Sequence, residues 1–182
     1  RLGVSQFSTS SAKGLRSFPG LGIVCGALEE FDKIKSYKRA SHYFDLYDEF
    51  RRQKDLKEVR FAQPPVLYVA LHEAIKEILE ERVENRRLLI HRRTREFRKW
   101  ADENQFTFAV NQKELGNAVT TFTLPGNMTY REFKSELKNH GIFLLYGDSY
   151  GGNQFQVSFL GDIKEGEITL LKSALVEILN KK

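Results

Sequence analysis

Four residue types are scarce in this 182-residue sequence: it has one cysteine, one methionine, one tryptophan and four prolines. A lone Cys25 excludes an internal disulfide framework and any cysteine-based zinc cluster. It also makes the reducing cytoplasm the expected compartment. No apolar run approaches the ~20 residues that a membrane-spanning helix needs. Internal repeats and low-complexity tracts are absent too. The single methionine is Met128 and the first residue is Arg1. Translation starts with Met, so the residues are expected to be the C-terminal part of something longer, or a chain whose N-terminus is processed. What is present is a globular balance, 41% hydrophobic and 29% charged. That is enough apolar material for a core in one or two domains.

The formal charge of +5 is not spread evenly. Residues 82–99 hold eight basic side chains against Glu84 and Glu96, a net +6 that leaves −1 for everything else. A basic helical face could dock phosphates. Its one Phe, Phe97, is not a set of interleaved aromatics for stacking on bases, and the segment matches no DNA-reading motif, so a solvated face is the favoured reading.

Residues 1–65 read as irregular structure with short strands. Leu21–Cys25, bracketed by Gly20, Gly22 and Gly26, suggests a buried strand in a crowded place. A helix is expected around Phe44–Lys54. After Pro64-Pro65, suited to a first helical turn, Leu71, Ile75, Leu79 and Val83 recur every fourth residue and predict an amphipathic helix. The basic helix follows, to about Trp100. From Phe106 the order is strand, strand, helix, strand, strand, helix. Phe106–Val110, Ala118–Leu124, Ile142–Tyr146 and Phe155–Phe159 are the strands, with a glycine-rich Gly147–Asn153 joining the last two. Thr129 and Glu132 form a capping-box signature, Gly141 a C-terminal cap, and Ile168, Leu171, Leu175 and Ile178 the stripe of a closing helix. Helices on one face of a small mixed or antiparallel sheet make an α+β layer.

The usual chemical constellations are missing. His42, His72, His91 and His140 have no metal-ligand spacing with a carboxylate, so no metal is expected. The glycines of 147–152 lack the Lys-Ser/Thr of a phosphate-binding P-loop. Neither a nucleophile elbow nor a charged neighbour for Cys25 is present. One segment stands apart. Ser8-Thr9-Ser10-Ser11-Ala12-Lys13 places a lone lysine after a hydroxyl-rich stretch and before the Phe18-Pro19-Gly20-Leu21-Gly22 turn. Lysine amines form Schiff bases with aldehydes.

The ordering of further segments extends this. Ser10-Ser11-Ala12-Lys13 with Pro19-Gly20-Leu21-Gly22, then Asp45-Leu46-Tyr47-Asp48, then Arg60-Phe61-Ala62-Gln63-Pro64, then Phe155-Gln156-Val157-Ser158-Phe159-Leu160-Gly161 occur in this order. In that order and spacing the chain resembles class V, fold-type-I pyridoxal-phosphate aminotransferases, above all those of the 2-aminoethylphosphonate–pyruvate type. The resemblance covers essentially the whole chain. It implies an α/β fold, the C-terminal portion of a fold-type-I transferase. Residues 1–65 would be the tail of the large cofactor domain, and 66–182 a connecting helix and small C-terminal domain.

The same resemblance implies pyridoxal 5'-phosphate as cofactor, Lys13 as its Schiff-base lysine, and Ser10 and Ser11 as cofactor-binding residues beside it. Arg60 and Gln63 would reach the cofactor phosphate of a neighbouring subunit, so a homodimer with shared active sites is expected. Substrates would be a small amine donor and a keto acid or aldehyde. Departures from the family pattern also carry information. Gln156 occupies the place of the family's carboxylate-binding arginine, and a neutral amide cannot replace a charged fork. Gln156 thus points to a neutral or amide-bearing substrate. The family's phosphate cup and ring-stacking residue lie upstream of the lysine, where only 12 residues precede Lys13. Two alternatives remain at this level: a non-catalytic relative that serves assembly, and a nucleic-acid-binding module built on 82–99.

Overall fold

The computed structural model describes residues 3–39, 41–143, 146–147 and 153–179. The chain divides into two compact units, Arg1–Glu77 and Ile78–Lys182.

In the first unit, strands β1 (Gln6–Ser10) and β2 (Gly22–Gly26) form an antiparallel pair with Ser10 opposite Gly22. The expected burial of the apolar Leu21–Cys25 run is not observed beyond Leu21. Val24 and Cys25 are exposed, and so is Phe7 on β1. The pair has no third strand among the described residues, and these side chains stay open. Helices α1 (Leu28–Lys33) and α2 (Leu46–Arg51) follow. Phe31 is buried and stacks on Phe50 with ring centroids 4.4 Å apart. Asp45 starts α2, its carboxylate accepting the Asp48 N–H at 2.9 Å. A wider turn over Arg52–Leu56 ends that helix.

Helix α3 (Pro65–Glu81) begins at a proline, where a missing N–H costs no hydrogen bond. Its buried side is not the expected stripe. Ala74 and Ile78 are buried, whereas Ile75, Leu79 and Val83 are exposed. A strict four-residue repeat advances about 40° per step around a helix of 3.6 residues per turn, so it walks off any straight contact face. Arg82, at φ +70°, breaks the path between α3 and α4 (Val83–Glu103).

The second unit is the expected α+β layer. β3 (Val119–Thr123), β4 (Tyr146–Gly147) and β5 (Gln154–Ser158) form an antiparallel sheet in the order β3-β5-β4. Phe155 and Val157 alternate inward from β5 and Phe122 from β3. They pack with Phe97 and Ala101 of α4, Phe133 and Leu137 of α5 (Tyr130–Asn139), and Leu175 and Ile178 of α6 (Glu165–Leu179). Phe155 stacks on Phe122 at 5.2 Å and leans on Phe133 at 4.6 Å.

The capping box forms as read from the sequence: Thr129 Oγ1 accepts the Glu132 N–H, and the Glu132 carboxylate accepts the Thr129 N–H at 2.7 Å. Gly141, at φ +74°, follows the last turn of α5. The expected strand Phe106–Val110 is reduced to one bridge, Phe108 opposite Phe122. Two flanking bonds, Ala109 N–H to Thr121 O and Thr123 N–H to Thr107 O, hold it there. Of the expected strand Ile142–Tyr146, residues 144–145 lie outside the described residues. So do 148–152 of the glycine-rich connection. Among the described residues no helix is long and apolar enough to cross a membrane.

Candidate active site

The loop between β1 and β2 is built around Ser11. This residue is fully buried; its N–H donates to Leu21 O at 3.0 Å and its carbonyl accepts the Ser17 N–H at 3.1 Å. Its hydroxyl donates to Phe18 O at 2.6 Å and accepts the Leu21 N–H at 3.3 Å. One side chain thereby ties the serine-rich arm to the Pro-Gly turn seven to ten residues on. Lys13 opens a short 3-10 turn, Lys13–Leu15, on the far side of this clamp, and its carbonyl accepts the Arg16 N–H at 3.0 Å. Lys13 adopts φ +59° and Arg16 φ +57°, left-handed conformations that cost a side-chain-bearing residue about 1 kcal/mol or more each. The Lys13 side chain is exposed, and its amine has no ion pair among the described residues. Ser10, half-buried, is the last residue of β1 and lies opposite Gly22. Gly20, at φ +138°, passes so close to α3 that a Cβ there would sit 2.6 Å from Leu67 Cδ1.

Arg60 is engaged within its own unit. Its side chain is 4% exposed, and Nε lies 2.8 Å from Asp48 Oδ2. The guanidinium also donates to Asp45 O at 3.4 Å and lies over the Phe61 ring. Asp48 accepts from Arg51 and Arg52 as well, at 3.1 and 3.3 Å. Burial raises the pKa of the Asp48 carboxyl, but hydrogen bonds from Arg51 and Arg52 and the nearby charges of Arg52 and Arg60 outweigh it. The net effect holds it below the usual carboxylate value. Asp45 in turn pairs with Arg39 at 2.8 Å. Sequence reasoning gave this Asp-Leu-Tyr-Asp stretch no role. The signal was there: Asp48 stands three and four residues before Arg51 and Arg52, the spacing of neighbours on a helix surface. Gln63, half-buried, makes no side-chain hydrogen bond among the described residues.

In the second unit Gln156 sits on the sheet face opposite the core, across from Thr121 on β3 and Tyr146 on β4. Its amide Nε2 donates to Thr121 Oγ1 at 3.3 Å. Ser158, two residues on and on the same face, has a buried hydroxyl with no partner among the described residues. Thr121, Thr123 and Gln154 share this face, which is therefore neutral and rich in hydroxyls and amides.

No family model matches the sequence. The 2-aminoethylphosphonate–pyruvate transaminases of Bacillus thuringiensis (strain Al Hakam) and Bacillus cereus (strain AH820) are each 27% identical to it over 184 residues. The match covers 94% of this chain and 48% of each relative. The chain thus spans about half the length of the relatives it matches. The structure superposes on that of an alanine–glyoxylate aminotransferase from Nostoc sp. with a TM-score of 0.82 at 20% identity, over 97% of this chain and 48% of that one. The fold is that of the C-terminal part of an aminotransferase. A ureidoglycine–glyoxylate aminotransferase from Bacillus subtilis is similar in the same way, with a TM-score of 0.83 at 16% identity over 98% of this chain and 47% of that one. These likenesses extend over both the two-stranded hairpin and the antiparallel C-terminal layer.

Proposed function

We propose that the protein is a pyridoxal-phosphate-dependent aminotransferase of the 2-aminoethylphosphonate type, of which this chain forms a C-terminal half. It would move an amino group between a small amine donor and a keto acid or aldehyde. The observation that carries the reading is the lysine loop. A lysine in a left-handed conformation, held on a turn closed by one fully buried serine, presents an accessible amine without an ion pair among the described residues. Strain maintained by a buried clamp is characteristic of functional positions. The exposed Phe7 and Val24 of the β1–β2 hairpin add support, since an open two-stranded pair suits a place within a larger sheet.

Within this proposal residues 1–65 belong to the cofactor domain and 66–182 to the connecting helix and small domain. The bound cofactor supplies the electron sink for bond cleavage next to the amine. Lys13 would hold it, and its Nζ is the atom that would carry the proton. Ser11 sets the position of the turn that carries that amine, and Ser10 leads into it from the end of β1 on the cofactor side. The segment from Arg60 to Gln63 serves a phosphate across a homodimer interface. There Gln63 has uncommitted amide donors, and Arg60 fixes the segment by its pairing with Asp48. Gln156 presents a neutral amide to the substrate.

Pyridoxal phosphate added to the full-length protein, followed by borohydride reduction and peptide mass mapping, should fix the cofactor on the peptide containing Lys13. The variant Lys13→Ala should lose both label and turnover. Wild-type turnover in that variant overturns the assignment. Gln156 favours a second reading, a relative that retains the fold for assembly without transamination. A folded full-length protein that retains no cofactor would support it. Gln156→Arg distinguishes the two, since a catalytic protein should gain use of an α-carboxylate substrate.

A further inference from the structure

The basic helix is not simply a solvated face. Arg86 pairs with Glu81, Arg93 forks onto Glu165 at 2.8 and 3.1 Å, and Arg98 donates to Thr120 Oγ1 and to the carbonyls of Gly116 and Val119. Arg93 and Arg98 thus link the helix to residues far along the chain within the second unit. Arg92 and Arg95 have no such partner among the described residues. With Lys99 they border a groove of about 740 Å³ whose wall also includes Arg98 and a single carboxylate, Asp102. That volume lies within the ~300–1,000 Å³ typical of small-ligand pockets.

We propose that this groove is a binding site for a small multivalent anion of the polyphosphate class. Arg92 and Arg95 have no ion pair or hydrogen bond among the described residues, whereas Arg98 is held by Thr120, Gly116 and Val119 and Lys99 lies 3.8 Å from Glu103; Asp102, the one carboxylate of the wall, is engaged by the Gln112 amide at 2.9 Å. The two unpaired guanidinium groups of Arg92 and Arg95 are the charge that the groove offers a ligand. Guanidinium groups suit phosphate oxygens because they donate in pairs with fixed geometry. A second, independent feature points the same way. Thr94 lines the groove, is only 3% exposed, and its Oγ1 has no hydrogen-bond partner among the described residues. Buried hydroxyls are normally satisfied, and an anionic acceptor would satisfy this one. A nucleic acid is disfavoured because the groove wall contains no Phe, Tyr or Trp on which bases could stack. The site lies wholly within the second unit and does not depend on the proposed transamination.

The test titrates inorganic tripolyphosphate into the full chain by calorimetry at two salt concentrations. One-site saturable binding, weaker at high salt, is expected. The double variant Arg92→Gln/Arg95→Gln should weaken it about tenfold or more. Thr94→Val should weaken it several-fold with an unchanged circular-dichroism spectrum. Arg87→Gln, on the same helix but outside the groove, should leave affinity unchanged. Three results overturn the proposal: no saturable binding to the wild type, an equal loss in Arg87→Gln, or length-dependent binding of an oligonucleotide that displaces tripolyphosphate.

Discussion

Ser11 is the residue on which the lysine loop depends, and Ser11→Ala measures how much. The substitution removes one oxygen from a fully buried site and leaves almost no cavity, so the cost is polar. Two hydrogen bonds disappear, the 2.6 Å bond to Phe18 O and the 3.3 Å bond from the Leu21 N–H. The Phe18 residue is 67% exposed, so water can replace the first bond. Leu21 is 8% exposed, and its N–H is left without an acceptor. One lost neutral bond at about 1 kcal/mol and one unsatisfied buried donor at about 1 kcal/mol or more give a loss of about 2 kcal/mol. That is roughly a 30-fold shift in the opening equilibrium. Hydrogen exchange reads it directly, because protection of the Leu21 amide should fall by that factor. Urea unfolding followed by circular dichroism supplies the global value. Ser10→Ala is the control: Ser10 is only half-buried and its hydroxyl makes no hydrogen bond among the described residues, so a change within about 0.5 kcal/mol is expected. A Ser11→Ala loss below about 0.5 kcal/mol, or an equal loss in Ser10→Ala, refutes the clamp.

Two further perturbations address other parts of the fold. Hydrogen bonds from the Thr129 hydroxyl and N–H hold the Glu132 pKa below its ordinary value, so the capping box stabilises the folded state above that value and the contribution is lost as pH falls through the folded pKa. The melting-temperature gap between the wild type and Glu132→Ala should therefore close on acidification; a gap independent of pH contradicts this. Gly20→Ala places a Cβ at 2.6 Å from Leu67 Cδ1 in a left-handed backbone, and should cost about 1–3 kcal/mol in urea unfolding. A neutral result there would mean that neither the left-handed backbone nor Leu67 resists a side chain at the turn.

The parts legible in the sequence were those whose cause is local. The Thr129–Glu132 box and the Gly141 cap each depend on a few consecutive residues, and both form as read. The apolar alternation of β3 and β5 also survives, because the pleat alone assigns Phe122, Phe155 and Val157 to one face. Where burial depends on what lies across from an element, local pattern misleads. The Leu21–Cys25 run reads as interior, yet no described layer covers most of it. Leu79 reads as part of a buried stripe and is exposed, because the contact face of α3 follows Ala74 and Ile78. The basic run reads as solvated, and only the fold brings Glu165 from 72 residues away to Arg93. Long-range pairing of this kind leaves no periodic trace in one sequence.

The two motifs around the lysine, serine-rich before and Pro-Gly-x-Gly after, form one mechanical unit. A left-handed lysine relaxes unless something opposes it, and the adjacent bonds of the 3-10 turn are too few to do so alone. The opposing element has to join both ends of the loop, and Ser11 does this with its N–H, its carbonyl and its hydroxyl together. Its three partners, Ser17, Phe18 and Leu21, all lie in or beside the second motif. Gly20 lets the chain turn at φ +138° between two of those partners, Phe18 and Leu21, without striking Leu67. Spacing between the two motifs is therefore set by the reach of one serine side chain. A residue inserted between Ser11 and Phe18 should release the turn, while an insertion beyond Gly26, outside the paired strands, should leave it intact. Protection of the Leu21 amide separates the two cases: equal protection in both insertions would show that the motifs act independently.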